Sequence, residues 1–191
     1  MKELLSNQEK DVLLKIAREA IQYATDGKDI PVLDLSQYSE KLQDDGASFV
    51  TLNSKTDGQL RGCIGALEAY QPLVLDVQYH AVAAALEDYR FLPVTSSEVP
   101  NLKIEISRLT PPIPLNYSDP GGLSKLIKPG VDGVIIRDGF RKATFLPQVW
   151  GQLPNPEDFI DHLCRKMGAH SDLWRRKVLQ VSVYQVEEFH E

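Results

Sequence analysis

The sequence predicts an α+β fold, a largely antiparallel sheet with flanking helices, and three observations carry that prediction. Asp57-Gly58 and Asp138-Gly139 each separate two runs of strand composition, as the tight turn of a hairpin requires. Three segments repeat apolar residues at helical spacing. Helices and strands do not alternate in the regular βαβ order of a doubly wound parallel sheet.

Taken in chain order, the first helix opens at Ser6. Glu9 stands three residues on, so each side chain can satisfy the other's backbone N–H in a capping box. Val12, Leu13, Ile16, Ala17, Ala20, Ile21 and Ala24 give the apolar face of a helix that covers a sheet, and Gly27 ends it. Residues 26–48, broken by Gly27, Pro31 and Gly46, read as a long connection. Phe49-Val50-Thr51-Leu52 then reads as a strand that returns as Leu60 to Ile64. The period of two sets Leu60, Gly62 and Ile64 on one face and Arg61 and Cys63 on the other.

The second helix is predicted from Pro72 to about Asp88, with the small run Ala81 to Ala85 permitting close approach of a neighbour. Leu102, Ile104 and Ile106 alternate with Lys103, Glu105 and Ser107 in a half-buried strand that ends before Pro111-Pro112. Residues 110–130 are rich in proline and glycine and predict an irregular excursion, with a short helical piece at Leu123 to Ile127. Val134 to Ile136 and Ala143 to Leu146 form the second hairpin. The third helix has Asn155 as its cap and Pro156 at its first position. Ile160, Leu163, Cys164 and Met167 line its apolar stripe, which makes Cys164 structural, and Gly168 stops it. Val178 to Val186 reads as one closing strand.

Composition narrows the function classes. The chain has 191 residues, enough to bury a core without staples, and two cysteines do not make a disulfide framework. The formal charge of −6 and the lack of interleaved basic and aromatic residues disfavour nucleic-acid binding. Met1 to Ser6 carry no apolar run of signal-peptide type, and no stretch approaches the roughly 18 apolar residues of a membrane span, so a cytoplasmic protein is expected. No Cys-x-x-Cys, His-Glu-x-x-His, phosphate loop or Gly-x-Ser-x-Gly pattern is present, so no metal site or cofactor is expected.

The segment richest in chemistry is Leu60-Arg61-Gly62-Cys63-Ile64-Gly65. Glycines inside a strand mark a bulge or a place where a backbone or ligand comes close. An arginine on the face of a cysteine can stabilise its thiolate, while the plainer alternative is a small buried cysteine beside glycines that packing requires. Arg90 reads as an anion-binding group or a capping cation. Glu105 either pairs with Arg61 or faces water, and His80 is a base or a satisfied core histidine.

The same segment resembles the signature of the AMMECR domain family, whose prokaryotic members are called AmmeMemoRadiSam system protein A. The resemblance continues through Pro72-Leu73, Ala84-Ala85, Asp88-Tyr89-Arg90-Phe91, Ile104-Glu105-Ile106-Ser107, Gly130-Val131-Asp132-Gly133, Phe145-Leu146-Pro147-Gln148-Val149 and Phe159 to Gly168. Tyr89 and Leu92 stand where relatives often carry prolines. The resemblance implies one AMMECR-type domain over residues 1–191, with a larger and a smaller lobe and the signature near a groove between them. It also implies the company of a Memo-type protein and a radical S-adenosylmethionine enzyme, but no particular reaction.

Two functional expectations follow. One is an enzyme with Cys63 as nucleophile or covalent carrier and Arg61 beside it, using His80 or Glu105 as base. The other is a non-catalytic interaction module that presents a groove to a partner. Gly62, Gly65, Arg90, Glu105 and Pro147 are the candidate substrate- or partner-binding residues under either expectation.

Overall fold

The computed structural model describes residues 4–191; Met1, Lys2 and Glu3, part of the opening segment read above for a signal peptide, lie outside the described residues. The helices are α1 (Asn7–Thr25), α2 (Glu40–Gln43), α3 (Leu73–Leu86), α4 (Pro156–Lys166) and α5 (Leu173–Arg176). The strands are β1 (Asp45–Ser54), β2 (Leu60–Gly65), β3 (Gln71–Pro72), β4 (Leu102–Leu109), β5 (Ile113–Pro114), β6 (Gly133–Asp138), β7 (Arg141–Phe145), β8 (Gln180–Tyr184) and β9 (Val186–His190). The fold is α+β. Among the described residues, no helix is long and apolar enough to cross a membrane.

The chain divides into two compact units. The first contains the chain up to Leu109 together with Glu187–Glu191, and the second is Thr110–Val186. In the first unit the strands run in the order β2-β1-β4-β9, with β3 paired to β1. The β1–β2 and β1–β4 pairs are antiparallel. Alternation along β1 and β4 sends Val50, Leu52, Ile104 and Ile106 to one face, where they are fully buried against Leu13, Ala17 and Ile21 of α1 and Val74, Val77 and Ala81 of α3. The capping box of α1 forms as its residues predict: Glu9 N–H donates to Ser6 Oγ at 3.2 Å and Ser6 N–H to the Glu9 carboxylate at 2.7 Å. The turn between β1 and β2 places Gly58 at φ +71°, a conformation that a side chain would disfavour.

The second unit holds the order β5-β8-β6-β7. Its hairpin turns at Gly139, φ +62°. Trp150 stacks on Phe159 with ring centroids 3.7 Å apart, and its indole N–H donates to the Asp132 carbonyl at 2.7 Å. Asn155 caps α4 by accepting from the N–H of Glu157 at 2.8 Å and of Asp158 at 3.3 Å. Cys164 is fully buried there with Ile160 and Leu163, and burial pushes its thiol up from the usual value.

Three boundaries differ from the sequence expectation. β1 begins at Asp45, just after α2, so the connection holds a 3-10 turn (Leu35–Gln37) and α2 and ends before Phe49. The second helix begins at Leu73 with Pro72 as its cap and ends at Leu86. The run Val178 to Val186 is not one strand: the chain leaves β8 at Tyr184 and enters β9 at Val186, in the other unit's sheet. At the break, Gln185 and Thr110 exchange bonds, Thr110 N–H to the Gln185 carbonyl at 2.8 Å and Gln185 N–H to Thr110 Oγ1 at 2.9 Å.

Candidate functional site

The signature segment is β2, which among the described residues is an edge strand bonded to β1 alone. In its register Thr51 lies opposite Cys63. The Cys63 backbone groups point away from β1: its N–H donates to Asp88 Oδ2 at 2.8 Å, and its carbonyl accepts from Arg90 Nη2 at 3.3 Å. Thr51 and Cys63 are therefore a non-hydrogen-bonded pair of the ladder, the type whose side chains stand closest. The Thr51 hydroxyl accordingly donates to Cys63 Sγ at 3.2 Å. Cys63 is a free, half-buried thiol.

Asp88 and Arg90 cap the open edge together. Asp88 follows α3, its side chain only 2% exposed, and it holds Arg90 through Nε at 2.9 Å and Nη2 at 2.6 Å. The Arg90 hydrogen bond is the main reason the Asp88 carboxyl sits well below the usual carboxylate range, with the Cys63 and Arg90 N–H groups adding to it. Arg90 is raised in turn, first by the Asp88 hydrogen bond, with the charge of Cys63 a lesser contributor.

Arg61 shares the Cys63 face, as alternation requires, yet its guanidinium is spent elsewhere. Nε donates to Glu98 Oε1 at 3.0 Å, Nη1 to the Leu92 carbonyl at 2.8 Å and Nη2 to the Pro93 carbonyl at 3.4 Å. Glu98 also accepts from the N–H and hydroxyl of Thr95, both at 2.8 Å. Its carboxyl is lowered to about 2, chiefly by Arg61. The signature arginine thus fastens the loop after α3 to the edge strand.

The space above each signature glycine is filled by the protein's own atoms. A Cβ on Gly62 would lie 2.0 Å from the Ala84 carbonyl oxygen of α3, and one on Gly65 would lie 2.4 Å from both the Phe49 ring and the Ser48 carbonyl oxygen. Glu105 on β4 lies opposite Thr51, so Cys63, Thr51 and Glu105 form one row across three strands, on the face turned away from Val50, Leu52, Ile104 and Ile106. Glu105 therefore does not pair with Arg61, whose carboxylate partner is Glu98.

His80 belongs to the opposite face. It is buried in α3 with Nδ1 3.2 Å from Asp76 Oδ2, the oxygen to which Ser48 donates at 2.6 Å. Ser48 alternates with Phe49 and Thr51, so the sheet stands between His80 and the Cys63 thiol, and of the two expected bases only Glu105 shares the Cys63 face. Pro147 opens a 3-10 turn, Pro147–Gly151, of the second unit, whereas Arg61, Cys63, Asp88, Arg90 and Glu98 belong to the first. Among the described residues, no group of three or more His, Cys, Asp or Glu side chains could hold a metal ion.

Sequence reasoning missed Thr51, Asp88 and Glu98. Asp88 did leave a signal. A carboxylate just past a helix C-terminus opposes the helix dipole and calls for a compensating cation, and Arg90 stands two residues on.

The AMMECR1 family model matches residues 14–189, across both units. A protein of Methanocaldococcus jannaschii is 34% identical, the alignment covering 98% of this chain and 92% of that protein. One from Methanothermobacter thermautotrophicus is 37% identical over 98% and 96%. The crystal structure of an uncharacterised protein from Pyrococcus horikoshii superposes with a TM-score of 0.75 at 33% identity, covering 98% of this chain and 93% of that one.

Proposed function

The chain belongs to the AMMECR1 family, and on that premise we propose that it works through the Cys63 thiol, as a nucleophile or covalent carrier beside a Memo-type protein and a radical S-adenosylmethionine enzyme. The observation that carries this reading is the Thr51 hydroxyl donating to Cys63 Sγ at 3.2 Å on a half-buried strand edge. A hydroxyl held against the sulfur fixes where it points and offers it a hydrogen bond during attack on an electrophile. The Asp88–Arg90 cap holds the Cys63 backbone from the other side, so the sulfur meets its target in one fixed geometry. Glu105 lies on the same row, opposite Thr51, and is the carboxylate that shares the Cys63 face.

Alkylation of the folded protein by iodoacetamide at neutral pH, read by mass spectrometry, tests the proposal. Cys63 is expected to react while Cys164 reacts only after unfolding, and Thr51→Val is expected to slow Cys63. An inert Cys63 in the folded chain would defeat the reading.

A second reading, a docking module, is favoured by Tyr89 and Leu92, 94% and 84% exposed on the loop that Arg61 and Arg90 fasten down. A rigid loop showing apolar side chains loses little entropy on binding. Here Cys63→Ser would leave capture of a Memo-type partner intact, whereas Tyr89→Ala and Leu92→Ala would weaken it.

A further inference from the structure

We infer that Arg90 anchors a negatively charged group on the electrophile that Cys63 attacks, so that the substrate class is a small electrophile bearing a carboxylate or phosphate. The inference rests on the thiol reading above and deepens it. Asp88 grips the guanidinium along one edge, through Nε and Nη2, and Nη2 also donates to the Cys63 carbonyl. The remaining nitrogen, Nη1, has no hydrogen-bond partner among the described residues. The Arg90 side chain is 44% exposed, against 2% for the Asp88 carboxylate that orients it.

The guanidinium also lies over the Phe91 ring, its carbon 5.4 Å from the centroid, which adds a second restraint. Arginine is suited to this task because its planar fork can hold one carboxylate along one edge and present further N–H donors elsewhere. The cation of β2 itself cannot compete, since Arg61 is occupied by Glu98 and two carbonyls. Because Arg90 is bonded to the Cys63 backbone itself, the free nitrogen keeps a fixed place relative to the thiol. An anion held there would bring its electrophilic atom to the sulfur in a limited set of poses.

The probe is iodoacetate against iodoacetamide, two reagents of similar size that differ by one negative charge. With either, the Cys63 sulfur forms a bond to the methylene carbon, iodide leaves with the bonding electron pair, and the thiol proton passes to water. Rates at Cys63 are measured by mass spectrometry in the folded full-length protein and referred to the same thiol in the urea-unfolded chain. Folding is expected to raise the iodoacetate-to-iodoacetamide ratio about fivefold, the scale of one half-exposed charge pair.

Arg90→Gln is expected to return the ratio to the unfolded value. Since that variant also disturbs the Asp88 cap, the unaltered protein is examined with inorganic phosphate at constant ionic strength, which is expected to lower the ratio saturably. A folded ratio equal to or below the unfolded one, with no phosphate effect, overturns the inference while leaving the thiol reading intact. If neither reagent modifies folded Cys63, the thiol reading falls and this inference with it.

Discussion

Asp88 does for one residue of β2 what a neighbouring strand would do, taking the outward N–H of Cys63 while its partner Arg90 fills the carbonyl. Asp88→Asn keeps the size but removes the charge that orients Arg90. It is expected to destabilise the protein by about 2 kcal/mol in urea unfolding, the scale of a charge-assisted hydrogen bond. An unchanged midpoint would show the cap to be incidental. Glu98 gives a prediction in pH. Its folded value of about 2 lies below the ordinary 4.5, so the stability it adds is complete above about pH 4.5 and is lost as pH falls toward 2. With 39% of the side chain exposed, solvent screening reduces that contribution to about 1 kcal/mol. Melting temperature measured against pH should therefore fall less steeply between these limits in Glu98→Gln than in the unaltered chain.

At the scale of elements, the contact between α3 and β2 is close enough that a single methyl group decides it. Gly62→Ala would drive Cβ to 2.0 Å from the Ala84 backbone carbonyl, and backbone cannot swing aside as a side-chain tip can. A loss of about 3 kcal/mol is expected, the upper range of overpacking, and urea denaturation reads it directly. Both hairpins and all three long helices were legible in the residues, because turn glycines, caps and apolar periods are local signals. The split of Val178 to Val186 was not. Its β-branched pattern runs on without punctuation, and the break comes from Gln185 meeting Thr110, 75 positions away. The site divided in the same way. Alternation placed Arg61 with Cys63, but which side chain spends the guanidinium depends on Glu98, 37 positions on. That His80 lies behind the sheet and Glu105 on the Cys63 face depends on which face α3 covers, and periodicity alone does not say.

For the whole molecule, the governing fact is that the second unit is inserted into the first. Residues 110–186 are spelled out before the first unit receives its last strand, β9. That strand brings Phe189 to the core and Glu187 to Leu5 N–H at 3.2 Å, Lys10 at 2.8 Å and Arg108 at 3.3 Å. A chain cut after Val186 is expected to lose at least about 3 kcal/mol from the first unit, since it removes the carboxylate that takes the buried Leu5 N–H and pairs with Lys10, and takes Phe189 from the core. Hydrogen exchange at the β4 amides would report the loss, and protection as strong as in the full chain would refute the dependence.

The insertion also sets a timetable for the ribosome. Once β4 has emerged, synthesis of residues 110–186 takes about 4–15 s at ordinary elongation rates, and the outer edge of β4 stays unpaired throughout. An open strand edge on a nascent chain recruits other nascent chains, and charged side chains are the usual guard against it. Lys103, Glu105 and Arg108 lie along this strand. Such charges are the kind that would guard the edge during those seconds of manufacture, before β9 arrives to close the sheet.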